Sequence, residues 1–160
     1  MCLCHIAGKI SGIAKLPSLT RRLSRFPDNP AIQVRDWYEP IARQWIEAQA
    51  DLLHQIRLIV DGKRGGQYQL LMVSLAYRHR TIPIAWTWVR HVKEYSSPHR
   101  QLNLLKYVHS LLPKGIAVLL VGDCEFGAVE VLRQLDKWHW DYVLRQKTST
   151  HTFWHMKRRV

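Results

Sequence analysis

The sequence predicts an α/β protein with a mixed sheet, in which a helical N-terminal segment precedes strands and helices in the order β-β-β-α-β-α-β. Three observations lead to this prediction. Helical spacing of apolar residues over 17–55 gives way at Ile56 to short β-branched runs. Three such runs follow one another with only tight turns between them, which predicts an antiparallel meander. Two further runs each follow a helical pattern, and crossovers of this kind produce parallel strands.

Two N-terminal helices are predicted from apolar residues spaced three or four positions apart. Residues 17–29 form a basic helix that ends at a proline-rich corner, and residues 31–55 form a longer helix that Pro40 is expected to break or kink. The arginines of the first helix, Arg21 and Arg22 among them, make this segment a candidate DNA-binding element. The simpler interpretation is an ordinary helical cap with solvated arginines. The apolar positions of the longer helix are Val34, Trp37, Ile41, Trp45 and Ala48.

The meander is predicted from β-branched and apolar runs that are separated by basic or glycine-containing turns. In its third strand the apolar side chains alternate, so that Trp86 and Trp88 share one face of the sheet. Because large aromatic side chains gain most from burial, we expect both tryptophans to pack in the core. The three predicted strands are Ile56–Asp61, Gln67–Tyr77 and Thr81–Val89.

Two helices, over 101–112 and 126–137, connect the meander to the last two strands. The strand between them, Ala117–Gly122, is fully apolar, so we expect it to be central and buried on both faces. Asp141–Arg145 is a short final strand. The predicted organisation is a helical segment over 1–55, a sheet core over 56–147 and a basic tail over 148–160.

Aspartates end two of the predicted strands, at Asp61 and Asp123. The element order is that of a ribonuclease-H-like fold, in which the first and fourth strands are parallel neighbours about 4.8 Å apart. Carboxylates at matching ends of such strands repel each other unless a cation neutralises them. Hard oxygen ligands suit Mg²⁺ or Mn²⁺, and a pair of these ions supports phosphoryl transfer. The alternative is that a strand end is acidic because the chain re-enters water there.

The charge balance indicates a polyanionic partner. Lys and Arg outnumber Asp and Glu by 24 to 12, which gives a net charge of +12, and nucleic acid is the usual partner of so basic a globular chain. An RNA-binding or a membrane-surface protein would share this excess. No apolar run is long enough to cross a bilayer and no signal peptide is evident, so a cytoplasmic protein is expected. Three cysteines at irregular spacing predict no disulfide framework.

Four blocks of sequence carry a family resemblance. They resemble the DDE-type transposases encoded by bacterial insertion sequences, and most of all the insertion-sequence family four. The resemblance covers roughly residues 17–147. The blocks are LIVDG at 58–62, TIPIAWTW at 81–88, VLLVGDCEFG at 118–127 and DYVLRQK at 141–147.

This resemblance implies a ribonuclease-H-like core that cuts and joins DNA with two divalent cations, Mg²⁺ or Mn²⁺. It implies that Asp61 and Asp123 are the first two catalytic carboxylates and ligate the metal. Arg145 matches an arginine of the family and is expected near DNA phosphate. The implied partners are transposon ends and target DNA, with a homodimer as one possible assembly. Basic clusters add Lys63, Arg64, Arg21 and Arg22 as expected DNA contacts.

The chain departs from the family at the third catalytic residue. The family carries a glutamate in a Tyr-x-x-Arg-x-x-x-Glu pattern, and no tyrosine of this sequence is followed by that spacing. We therefore expect a truncated or frameshifted transposase that binds DNA with little or no strand-transfer activity, and with an apolar sheet face left exposed. Glu125 is considered as a substitute ligand, but a surface carboxylate is expected there. The alternative function is a non-catalytic DNA-binding module with the same fold.

Overall fold

The sheet places the first and fourth strands side by side, as the element order predicts. The structure, a computed structural model, describes residues 3–12, 14–26, 28–90 and 96–145. Its five strands lie in the order β3-β2-β1-β4-β5, with the first three antiparallel and β4 and β5 parallel to β1. This is the ribonuclease-H-like arrangement. The strands are β1 (Gln55–Gly65), β2 (Tyr68–Tyr77), β3 (Arg80–Arg90), β4 (Ala117–Gly122) and β5 (Asp141–Leu144).

Two tight turns build the meander. Gly66 adopts φ 58° between β1 and β2, and Arg78 adopts φ 53° between β2 and β3. Glycine reaches this left-handed region without strain, whereas an arginine there is uncommon. The strands extend further than predicted, because Lys63 and Arg64 belong to β1 rather than to the turn.

Helices cover one face of the sheet. Helix α4 (Pro98–Leu111) packs against β2 and β3, and α5 (Val129–Lys137) packs against α4 and β5. The helix predicted over 126–137 begins later, at Val129, because Cys124–Phe126 forms a separate 3-10 turn before α5. Full burial of a Leu or Ile side chain stabilises the fold by about 1.5–3 kcal/mol. The buried strand residues are Ile56, Leu58, Val60, Leu71, Val73, Leu75, Val118 and Leu120, and the helices add Leu104, Leu105, Val108, Leu111, Val131 and Leu135.

The opposite face of the sheet exposes Trp88, Val121 and Val143, which corrects two expectations. Trp88 is 59% exposed and pairs with Leu70, so it does not pack in the core, while Trp86 is half-buried. In β4, Val118 and Leu120 are buried but Val121 is exposed, so the strand is central without being buried on both faces. Side chains alternate across a strand, and helices cover only one of the two sides here.

Three helices precede the sheet: α1 (Leu3–Ala7), α2 (Leu16–Arg25) and α3 (Val34–Leu53). The chain falls into two compact units, Met1–Ile41 and Ala42–Val160, with the boundary inside α3. The first unit contains α1 packed on α2, and the second contains the sheet. His54 ends α3 with φ 53° and donates its backbone N–H to the carbonyl of Ala50, as in a helix C-terminal cap.

The structure corrects the prediction for α3 in two respects. The helix continues through Pro40, so the predicted break does not occur. The predicted apolar stripe is not the buried side, since Val34, Trp37 and Ile41 are all exposed. The predicted stripe and the stripe that is buried both have helical spacing. The buried stripe consists of two alanines, one isoleucine and one glutamine. Its members are Ala42, Ile46, Gln49 and Ala50.

The basic tail predicted over 148–160 lies outside the described residues, and so does Cys2, one of the three cysteines. Among the described helices, none combines the length and apolar character that a membrane span requires.

Candidate metal and DNA site

Asp61 and Asp123 lie at the same end of the parallel β1–β4 pairing, although β1 itself continues beyond Asp61 to Gly65. Val60 pairs with Gly122 in the β1–β4 register, and each aspartate is the next residue along its chain. Adjacent strands lie about 4.8 Å apart, so the two backbones are close at this point. Both aspartates are exposed, and strand alternation places Asp61 on the open face of the sheet.

Each aspartate uses one oxygen to fix the backbone that follows it. Oδ1 of Asp61 accepts a hydrogen bond from the Gly62 amide at 2.8 Å. Oδ1 of Asp123 accepts one from the Glu125 amide at 3.0 Å, which caps the 3-10 turn. These bonds restrict the side-chain torsions without using Oδ2, so each carboxylate retains an oxygen with which to coordinate a cation.

The glycines beside the aspartates are required by internal packing. A Cβ on Gly122 would lie 2.6 Å from Cγ1 of Val60, and a Cβ on Gly62 would lie 2.7 Å from side-chain atoms of both Gln69 and Glu125. Neighbouring side chains therefore occupy the space beside both glycines.

Glu125 is neither a surface carboxylate nor a free ligand. Its Oε1 accepts hydrogen bonds from Ser96 Oγ at 2.6 Å, the Ser96 amide at 2.9 Å and Gln69 Nε2 at 2.8 Å. Its Oε2 lies 2.9 Å from the same Gln69 nitrogen. The carboxylate therefore joins β2, the 3-10 turn and the residue that precedes α4 by two positions. Sequence reasoning missed Gln69 and Ser96, because their partner lies 56 and 29 positions away.

Basic residues flank the aspartate pair. Arg145 is exposed and follows β5, and its amide donates to the Gly122 carbonyl at 3.1 Å. Leu144 pairs with Gly122, so Arg145 stands next to Asp123 in the parallel register. Lys63 and Arg64 lie in β1 just beyond Asp61, on the solvent-accessible end of the strand. Arg21 and Arg22 are also exposed, on α2 in the other unit.

A separate aromatic cluster lies between α4 and the start of β5. The His109 ring stacks on Trp138 with centroids 4.4 Å apart and a 12° angle between the planes. Trp140, which is buried, contacts both rings. Burial lowers the pKa of His109 below its usual value, because the charged imidazolium loses solvation there. These tryptophans therefore pack against each other and the histidine.

The donor set at the aspartate edge suits a hard divalent cation, since it consists of carboxylate oxygens on adjacent strands. Within the described ranges, no group of three or more His, Cys, Asp or Glu residues is placed to hold a metal ion. The two aspartates are the candidate ligands in this part of the chain, and Glu125 is occupied by its own hydrogen bonds.

No family model matches the chain, and no curated protein matches it. Among solved structures, the chain is similar to the catalytic domain of Mos1 mariner transposase, with 10% identity and a TM-score of 0.41. The alignment covers 70% of this chain and 60% of that domain.

Proposed function

We propose that this chain is a transposase-type protein, whose sheet edge is built for metal-dependent phosphoryl transfer on DNA. The observation that supports the proposal is the placement of Asp61 and Asp123 immediately after the last paired residues of the parallel β1–β4 register. A ribonuclease-H-like sheet order accompanies this pair. The family resemblance of the sequence blocks around both aspartates assigns them the same chemistry.

In this proposal Asp61 and Asp123 ligate Mg²⁺ or Mn²⁺ through carboxylate oxygens. A bound divalent cation would polarise the phosphoryl oxygens and stabilise the leaving oxygen of an in-line displacement. The hydrogen bonds from the Gly62 and Glu125 amides hold the two carboxylates ready to bind it. Such pre-organisation reduces the reorganisation that metal binding requires.

DNA is the substrate in this proposal because the chain carries a net charge of +12 and places cations beside the carboxylates. Arg145 follows the strand next to Asp123, and Lys63 and Arg64 continue the strand of Asp61. These side chains can neutralise phosphates on either side of the scissile bond. Arg21 and Arg22 supply a second basic surface on α2.

We propose further that the 160-residue chain has little strand-transfer activity by itself. The sequence lacks the Tyr-x-x-Arg-x-x-x-Glu pattern that supplies the third carboxylate in the family it resembles. A metal ion held by fewer carboxylates binds more weakly and is positioned less tightly.

The test measures Mn²⁺ binding to the purified chain by titration calorimetry, and it measures nicking of supercoiled DNA in the presence of Mn²⁺. Wild type should bind Mn²⁺, and Asp61→Asn and Asp123→Asn should each abolish most of the binding and any nicking. Asp141→Asn is the matched control, since it removes an exposed aspartate where β5 begins. Equal binding by all four proteins would reject the proposal.

A non-catalytic DNA-binding module is the second candidate, and the cap formed by Asp123 favours it. Aspartate is a preferred N-terminal capping residue for reasons unrelated to metal. Asn caps equally well, so Asp123→Asn separates the two functions. If the variant retains stability and DNA affinity and the wild type binds no metal, the capping role suffices and the module is the better description.

A further inference from the structure

Among the described residues, three donors hold the Glu125 carboxylate, and none of them is a cation. The donors are the Ser96 hydroxyl, the Ser96 backbone amide and the Gln69 side-chain amide, at 2.6 to 2.9 Å. Gln69 is 1% exposed and Ser96 is 6% exposed, so the bonds form in a largely water-excluded setting. Charge-assisted bonds of this kind are short and directional.

The same network contacts the backbone that follows each candidate metal ligand. The Glu125 amide donates to Oδ1 of Asp123, so the residue that anchors the network also caps that turn. On the other side, Gly62 has no space for a Cβ because Gln69 Nε2 and Glu125 Oε2 fill it. The Glu125–Gln69 pair thus lies directly beneath the backbone that follows Asp61.

Helix α4 supports the network from a third direction. Gln101, which is 1% exposed, donates from Nε2 to Ser96 Oγ at 2.9 Å and to the backbone carbonyl of Glu125 at 3.1 Å. The position of the 3-10 turn is therefore tied to α4 as well as to β2. A shift of the 3-10 turn would break hydrogen bonds to both β2 and α4.

We propose that Glu125 is a positioning residue, which fixes the spacing of the Asp61 and Asp123 carboxylates through Gly62 and the 3-10 turn. This inference rests on the proposed function, in which those two carboxylates bind metal. It gives Glu125 a role distinct from that of a ligand, because Oε1 already accepts three hydrogen bonds. Outer-shell hydrogen bonds of this kind orient metal ligands and tune affinity.

The chemistry around Glu125 explains why a glutamate is needed. Donors converge on its carboxylate, and Gln69 Nε2 contacts both oxygens. Glutamine at position 125 keeps only one acceptor oxygen, and its N–H₂ group would face the Gln69 Nε2 donor unless the Gln69 amide turned over. Exchanging the two residues, as Gln69→Glu with Glu125→Gln, restores a carboxylate–amide pair in the same place.

Amide hydrogen exchange of the full chain, followed by NMR, tests the positioning role independently of metal. With Glu125→Gln, exchange at the amides of Gly62 and position 125 should accelerate at least about tenfold, while the core amides of Leu120 and Val131 keep their rates. The double exchange variant should recover protection. Unchanged exchange rates at the amides of Gly62 and position 125, or the same acceleration at every amide, would overturn the inference. Ser96→Ala, which keeps the Gln69 contact, is the milder variant if Glu125→Gln does not fold.

Mn²⁺ titration separates the failure of this inference from that of the proposed function. Glu125→Gln should weaken Mn²⁺ binding by about 10-fold or more with the fold retained, and the double exchange should restore part of the loss. If Asp61→Asn abolishes binding but Glu125→Gln leaves it unchanged, the positioning role is wrong. If wild type and Asp61→Asn bind equally little Mn²⁺, the proposed function fails, and the exchange rates still decide whether Glu125 orders the two turns.

Discussion

Val60 and Gly122 pair across two parallel strands, and the residue after each is an aspartate. Two exposed carboxylates therefore lie on adjacent backbone segments, and their like charges repel each other. A cation bound between them should relieve that repulsion. The stability of the chain should therefore respond to divalent cations and to changes in this pair.

Divalent cations should raise the melting temperature of the wild-type chain, because a ligand that binds only the native state stabilises it. Asp61→Asn should remove this response and should raise the melting temperature in metal-free buffer slightly, since it removes one of two like charges. Calorimetry with and without Mn²⁺ measures both effects. Asp141→Asn should respond like the wild type, and a cation response retained in Asp61→Asn would contradict the metal site.

Gly122→Ala should destabilise the fold by about 1–3 kcal/mol, the usual cost of forcing a methyl group into a packed core. The new Cβ would lie 2.6 Å from Val60 Cγ1 and 3.0 Å from Leu144 Cδ2. Urea denaturation measures the change, and Val60→Ala in the same chain should recover part of it. Gly65→Ala is the matched control, because a methyl group at that position would meet no atom within 4 Å. Equal stability of Gly122→Ala and Gly65→Ala would refute the packing account.

Acidification should destabilise the chain in part through His109. Burial beside Trp138 lowers the pKa of His109 in the folded state, so the unfolded chain binds a proton more readily. The resulting stabilisation is present above the ordinary histidine pKa of about 6.5 and is lost as the pH falls below it. Urea midpoints at pH 7.5 and 5.5 measure the loss. His109→Phe keeps a stacking ring without the titration and should show a smaller decrease than the wild type.

Trp88→Thr should leave the free energy of unfolding nearly unchanged and should reduce self-association. Trp88 is exposed on β3, and Val121 and Val143 are exposed on β4 and β5 as well. Threonine retains the β-branched preference for strands. Light scattering and urea denaturation measure the two quantities. Leu71→Ala, at a fully buried position of β2, should by contrast cost about 2–5 kcal/mol.

DNA affinity should fall steeply with salt, and Arg145→Ala and Lys63→Ala should each reduce the slope of log K against log salt by about one unit. The reason is that each phosphate contact releases a condensed counterion. Fluorescence anisotropy over a salt series measures the slope. Lys106→Ala removes an exposed cation on α4 and should leave the slope unchanged. A slope equal to that of the wild type in all three variants would show that DNA binds elsewhere.

Local patterns were sufficient for the element order and for the edge that carries the aspartates. The β-branched run before Asp61 and the apolar run before Asp123 specify strands by themselves. A crossover connection makes the fourth strand parallel to the first or the fifth, and the ribonuclease-H-like element order predicts that it lies beside the first. The order β3-β2-β1-β4-β5 confirms this part of the prediction.

Patterns were not sufficient to show which apolar faces become buried. Trp88 and Trp37 both occupy positions of good periodicity, yet both are exposed. Periodicity identifies the residues that share a face, but burial depends on whether another element packs against that face. In α3 the competing stripe centred on Ile46 is the buried one.

The sequence by itself determined the strand that leads into Asp61 and the strand that leads into Asp123, because each depends on residues close together in the chain, and the composition alone gave the net charge of +12. Only the tertiary structure decided that Glu125 contacts Gln69 and Ser96, and that Gly62 and Gly122 are closely packed. The partners of Glu125 lie 29 and 56 positions away along the chain. Contacts of that kind arise from the register of strands and the path of the connections, which no local pattern encodes.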